Sequence, residues 1–166
     1  MVLCGMMGAG KTTIGIKISE ITGRRWYDTD VMLTDKYGKI SDIFEYYGEA
    51  HFRRLETQIL SGILEMDNLV ISTGGGLVLK PENNEALKKN GKIVFLRASL
   101  ETLVKRLNLD DTRPLLETST QNIKERLKDL LKEPTPIYEQ VADYIVEVDE
   151  KTPVQVAREI VDLCKE

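Results

Sequence analysis

Apolar positions along this chain fall into two alternating rhythms. Short, nearly continuous apolar or β-favouring runs at Val2-Leu3-Cys4, Arg25–Asp28 (through Trp26 and Tyr27), Leu69–Ser72, Ile93–Leu96 and Tyr144–Val148 predict strands. Between them apolar residues recur at helical spacing. Lys11 to about Ile21, carrying Ile14, Ile16, Ile18 and Ile21 mixed with Lys17 and Glu20, predicts one helix, and Gly23 ends it. A second runs to Tyr37 and is broken by Gly38. Further helices are expected over Asp42–Tyr47 with Ser41 as N-cap, Glu49–Leu64, Pro81–Lys89, Leu100–Leu107, Gln121–Leu131 and Val154–Leu163. From Asn108 to Thr120 neither period holds, and a mobile loop is expected. Strands alternating with helices predict an α/β fold, a parallel sheet with helices on both faces. In such sheets ligands gather at the carboxyl ends of the strands.

Three motifs fall at those ends. Gly5-Met6-Met7-Gly8-Ala9-Gly10-Lys11-Thr12 fits G-x-x-x-x-G-K-[ST] between the first strand and the first helix. There a glycine-rich turn lets successive N–H groups converge on phosphate oxygens, and the helix dipole points its positive end at them. Gly8, Ala9, Gly10, Lys11, Thr12 and Thr13 are thus candidates to bind ATP or GTP. Lys11 can reach the β- and γ-phosphates, and the Thr12 hydroxyl is a hard oxygen ligand suited to Mg²⁺. Asp28-Thr29-Asp30 follows the second strand. The third strand ends in Ser72-Thr73 without an acidic residue, so Asp28 is the candidate partner for the metal, and Asp30 could orient or deprotonate an attacking hydroxyl. The same tripeptide also suits a helix cap, and spacing leaves both readings open. The third motif, Gly74-Gly75-Gly76, permits close backbone approach to a ligand.

Arg53 and Glu56 stand three residues apart on one helical face. They read either as an ordinary exposed ion pair or as an arginine fork oriented to clamp a carboxylate. Arg113, in the patternless segment, could close over the phosphates and offset transition-state charge. His51 receives no role.

Composition narrows the class. The 166 residues suit one domain, 42% hydrophobic and 30% charged, with a net charge of −4 and no basic run to supply a nucleic-acid footprint. Two cysteines at opposite ends, Cys4 and Cys164, give no disulfide framework or metal motif, and a reducing cytoplasmic setting is expected. No apolar run is long enough for a membrane span, and no charged-then-apolar leader precedes the phosphate loop. Only four residues precede Gly5, which makes the first strand either unusually short or one that starts upstream of Met1.

The combined set resembles the shikimate kinases over essentially the whole chain, through G-M-M-G-A-G-K-T-T, D-T-D, G-K-I-S-D-I-F-E-Y-Y-G-E-A-H-F-R-R-L-E, S-T-G-G-G and D-T-R-P-L-L. The resemblance implies a three-layer P-loop kinase fold like that of the nucleoside-monophosphate kinases. Its five-stranded parallel sheet has the order 2-3-1-4-5, within a single domain over residues 1–166. A substrate-binding helical region is expected over about 31–62 and a mobile lid over about 108–120. The implied activity is transfer of the ATP γ-phosphoryl group to the 3-hydroxyl of shikimate, in aromatic amino-acid biosynthesis, by a cytoplasmic monomer using Mg²⁺. By position, it implies Lys11 and Thr12 as phosphate lysine and magnesium hydroxyl, and Asp28 in the water shell of the metal. Asp30 becomes hydroxyl ligand and candidate base, Arg53 the carboxylate clamp and Glu56 its orienting partner. Gly74, Gly75 and Gly76 line the substrate pocket, Arg106 stacks on adenine and Arg113 is the lid arginine. One position departs. The family usually carries an arginine that grips the same carboxylate at the start of R-x-P-x-Y, where this chain has Pro134-Thr135-Pro136-Ile137-Tyr138. That leaves two other readings open: another small-molecule P-loop kinase, gluconate-kinase-like, and a non-catalytic ATP-binding module.

Overall fold

The computed structural model describes residues 1–108 and 120–165. Its strands β1 (Val2–Cys4), β2 (Arg25–Asp28), β3 (Leu69–Ser72), β4 (Ile93–Arg97) and β5 (Tyr144–Glu147) form one sheet in the order β2-β3-β1-β4-β5. All four ladders are parallel. The expected fold class and strand order are both present.

The near-continuous apolar strands follow from burial on both faces. Successive side chains alternate across a sheet. Val2, Cys4, Leu69, Ile71, Ile93 and Phe95 join one core cluster, whereas Leu3, Val70, Val94 and Leu96 join another. The second face is covered by α1 (Lys11–Thr22) and α8 (Pro153–Leu163), through Ile14, Ile18, Val156 and Ile160. The first is covered by α2 (Thr29–Tyr37), α3 (Ile40–Ile63), α4 (Pro81–Asn90) and α7 (Pro134–Val141), through Leu33, Phe52, Ile59, Leu87 and Tyr138. A smaller cluster joins α5 (Leu100–Asn108) and α6 (Thr120–Lys132) to Met6 and Met7 of the phosphate loop.

Two details differ from the pattern-based expectation. The helix expected from Asp42 starts at Ile40 with Lys39 as its cap, and Ser41 lies inside it with its hydroxyl bonded to Asp42. Gly48 (φ 77°, ψ 170°) does break α3 into the two helical segments foreseen on either side of it. Helix α7 was not foreseen, because Pro134 and Pro136 disguise it. Both sit in its first turn, where a backbone N–H has no intrahelical acceptor and proline is tolerated. Among the described residues no helix is long and apolar enough to cross a membrane. Cys4 and Cys164 are both free thiols, and burial pushes that of Cys4 up to about 12.

Candidate active site

The register of the central ladders brings the motifs together. Asp28 pairs with Ser72, Leu3 also pairs with Ser72, and Cys4 pairs with Phe95, so β1, β2 and β3 end side by side. The loops leaving them border one cavity of about 680 Å³, lined among others by Gly8, Gly10, Lys11, Thr12, Asp28, Asp30, Arg53, Glu56, Gly75, Gly76 and Arg106. A cavity of about 740 Å³ opens at the opposite, amino end of the strands around Met1, Arg24 and Lys92, and holds none of the candidate residues.

At the phosphate end, Gly10 takes the left-handed conformation (φ 97°) and lets the loop turn directly into α1. Lys11 Nζ lies back over the loop and donates to the carbonyl oxygens of Gly5 (2.8 Å) and Met6 (3.0 Å). Thr12 Oγ1 donates to Asp28 Oδ2 at 2.7 Å. The other oxygen of Asp28 accepts from the N–H groups of Asp30 and Val31, so the residue is at once a helix cap and the partner of Thr12. Behind this layer Trp26 Nε1 donates to Ser72 Oγ, and the Ser72 hydroxyl donates to the Lys11 carbonyl at 2.9 Å, tying the first turn of α1 to β2 and β3.

Two hard oxygens, Thr12 Oγ1 and Asp28 Oδ2, thus face the cavity together. Among the described residues no group of three or more His, Cys, Asp or Glu side chains could hold a metal by itself. That donor set fits Mg²⁺, which keeps its waters and leans on substrate phosphates and one or two protein oxygens. It does not fit a structural transition-metal site.

The opposite end is organised by Arg53. Its Nη1 donates to Glu56 Oε2 at 2.7 Å and its Nη2 to Glu49 Oε1 at 3.1 Å. Those two bonds outweigh the effect of burial and hold the guanidinium above its ordinary pKa. The side chain of Glu56 is only 2% exposed, so this is not the surface pair that the spacing alone allowed. Burial pushes the Glu56 carboxyl up, Arg53 pulls it back, and the charge of Asp30 adds to the rise. Glu56 Oε1 is buried without a hydrogen-bond partner among the described residues. The glycine loop is packed against these groups. A Cβ on Gly74 would run into the Asp30 carboxylate, and one on Gly76 into the Arg53 guanidinium. The Gly74 N–H donates to Thr29 Oγ1 at 2.8 Å, linking the loop to the residue between the two aspartates.

Arg106 reaches the phosphate loop from α5 and donates to the carbonyls of Gly8 (3.1 Å) and Ala9 (3.0 Å). Beside it Gly10, Thr13, Ile14, Val148, Lys151, Pro153 and Val156 enclose a second, mostly apolar recess of about 290 Å³. The structure therefore brings together all the candidate residues it describes. Arg113 and the expected lid over 108–120 fall on the segment outside the described residues. Sequence reasoning missed Glu49, although its i,i+4 spacing to Arg53 was available. His51 stacks on Tyr47 and contacts Arg54, away from this cavity.

The shikimate kinase family model matches residues 7–165. The chain belongs to the shikimate kinase family. A shikimate kinase of Nitrosococcus oceani is 43% identical over 159 residues, covering 95% of this chain and 83% of the relative. The shikimate kinase of Acinetobacter baumannii, solved in complex with shikimate, superposes with a TM-score of 0.88 at 39% identity, covering 98% of this chain and 90% of that one. That of Bacteroides thetaiotaomicron gives 0.90 at 30% identity, covering 98% and 96%. Membership makes this shikimate kinase homologue an ATP-dependent phosphotransferase. The 680 Å³ cavity thus carries Lys11 and Thr12 of the phosphate loop and the Arg53 guanidinium in one lining.

Proposed function

We propose that the chain transfers the γ-phosphoryl group of ATP to the 3-hydroxyl of shikimate. It would do so as one P-loop kinase domain over residues 1–166, with a substrate-binding region over about 31–62 and a lid over about 108–120. The observation that carries this reading is the opposed pair of anchors in a single cavity. Lys11 and the amino end of α1 stand at one end, and the Arg53 fork, oriented by Glu56 and Glu49, at the other.

In this account the N–H groups at the start of α1, with Gly8, Ala9, Gly10 and Thr13, cradle the ATP phosphates. Lys11 exchanges its loop carbonyls for the β- and γ-phosphate oxygens. Thr12 and Asp28 hold Mg²⁺, which when bound neutralises charge on the phosphates. Arg106 and Pro153 flank the recess for the adenine ring. Arg53 pairs with the shikimate carboxylate through two parallel bonds, and Gly74, Gly75 and Gly76 allow the ring to lie against backbone. Asp30 accepts the proton of the 3-hydroxyl as that oxygen bonds to the γ-phosphorus and the bond to the ADP oxygen breaks. Arg113 offsets the charge on the transferring group from the lid.

Every group invoked belongs to one chain, and we take the enzyme to act as a monomer. Free thiols and a net charge of −4 suit a cytoplasmic enzyme of small molecules rather than a partner of nucleic acid or membrane. The test is ADP release in a coupled assay with shikimate, with gluconate and with neither. Turnover that depends on shikimate supports the reading. Turnover on gluconate alone would favour the other small-molecule kinase, and ATP binding without turnover a non-catalytic module.

A further inference from the structure

The three glycines of the substrate loop are secured unequally. The carbonyl of Gly74 accepts from Leu77 N–H (3.2 Å) and that of Gly76 from Leu79 N–H (3.1 Å), both within the short 3₁₀ turn Leu77–Leu79 that follows. The middle carbonyl, that of Gly75, is held from outside the loop. Tyr138 Oη donates to it at 2.6 Å, across 63 positions of sequence. Of the N–H groups, that of Gly74 is taken by Thr29, whereas those of Gly75 and Gly76 have no acceptor among the described residues.

A trans peptide points its C=O and its following N–H in opposite directions. Fixing the Gly75 carbonyl therefore fixes the direction of the Gly76 N–H, on a residue that lies against the Arg53 guanidinium. Such a unit is otherwise easy to invert. The two torsions that flip it are ψ of Gly75 and φ of Gly76, and neither residue has a Cβ to resist the change. Inversion would turn a carbonyl oxygen toward the place where a donor stood.

We propose that Tyr138 is a positioning residue for the phosphoryl acceptor: its hydroxyl locks the Gly75–Gly76 peptide so that the Gly76 N–H, beside Arg53, is offered to the substrate. This rests on the reading that the Arg53 end of the cavity takes shikimate. Tyr138 is built for the task. The residue is 1% exposed and its ring packs on Phe95 with centroids 5.1 Å apart, which leaves the hydroxyl little freedom. Burial holds the phenol well above its ordinary pKa, so it stays a proton donor across the working range. The same helix puts Pro134 on the cavity wall, where it supplies no charge, and the backbone donors near Arg53 matter more for that.

The test is Tyr138→Phe, which keeps the ring and removes one hydroxyl. The expected result is a loss of about tenfold in kcat/KM for shikimate, carried by KM, the effect of one well-made hydrogen bond and the donor it orients. KM for ATP should stay within about twofold. A merely structural role would move both constants together or neither, and either outcome overturns the proposal. The amide resonances of Gly75 and Gly76 give a readout that needs no substrate. They should shift or broaden in the Phe variant of the free protein, and unchanged signals would overturn the pinning itself. If the wild type ignores shikimate while those amides respond as expected, the substrate assignment fails and the lock stands.

Discussion

Thr12 Oγ1 and Asp28 Oδ2 lie 2.7 Å apart, and the other oxygen of Asp28 caps α2 through the N–H groups of Asp30 and Val31. One carboxylate thereby joins the helix that follows the phosphate loop to the helix that presents Asp30. The two roles weighed for the Asp28-Thr29-Asp30 tripeptide, cap and metal partner, do not compete, because each can use a different oxygen.

The two aspartates should separate kinetically. Asp30→Asn is expected to lower kcat by about 10²–10⁴-fold, the range for a general acid–base group, with little change in ATP affinity. Asp28→Asn should instead raise KM for ATP and its dependence on magnesium concentration. Steady-state kinetics over a magnesium series check this. Equal loss of nucleotide affinity in both variants would mean the roles are divided wrongly.

Lys11→Ala should cost at least about 10²-fold in kcat, the scale for removing one charge-stabilising donor from a transition state. Lys11 bonds carbonyls of the loop rather than packing in the core, so circular dichroism should be unchanged. Near-normal turnover in the folded variant would remove the phosphate loop from the mechanism.

Pro134 lines the cavity on the wall shared with Tyr138. A charge-assisted bond contributes about 1.5–3 kcal/mol, so Pro134→Arg should lower KM for shikimate by about tenfold to a hundredfold and leave that for ATP nearly unchanged. Titration of both variants with shikimate measures it. No effect, together with tight binding by the wild type, would mean that another cation already completes the carboxylate site.

Gly15 tests the layer behind the site. A Cβ there would meet Trp26 Nε1 at 2.5 Å and Ser72 Oγ at 2.6 Å. Alanine gains about 0.5–1 kcal/mol over glycine inside a helix, but overpacking costs about 1–3 kcal/mol. Gly15→Ala should therefore be destabilising on balance. Trp26 is the single tryptophan, so urea unfolding followed by its fluorescence reads the change.

Much of this was legible in the chain itself. The three central strands were readable because burial on both faces makes them short apolar runs, and the half-exposed edge strands β2 and β5 because their aromatic and β-branched residues favour extended backbone. The phosphate loop and the Arg53–Glu56 spacing were readable because their chemistry is local. What stayed hidden is long-range or disguised. The Tyr138 bond to Gly75 and the Arg106 bonds to Gly8 and Ala9 cross the whole fold, and nothing in the local pattern announces them. Spacing showed that Arg53 and Glu56 could meet, but not that Glu56 is buried, which depends on α3 packing against the sheet. Helix α7 was missed because its two prolines count against a helix everywhere except in the first turn, where they lie.

The most direct measurement is the identity of the product. Incubated with ATP, Mg²⁺ and shikimate, the enzyme should yield one equivalent of ADP for each equivalent of a phosphate monoester. Phosphorus–proton coupling in the NMR spectrum should place that ester on the 3-position of the ring. A phosphate on another hydroxyl would contradict the placement of Asp30 relative to Arg53. ADP formed without a phosphorylated shikimate would contradict the account as a whole.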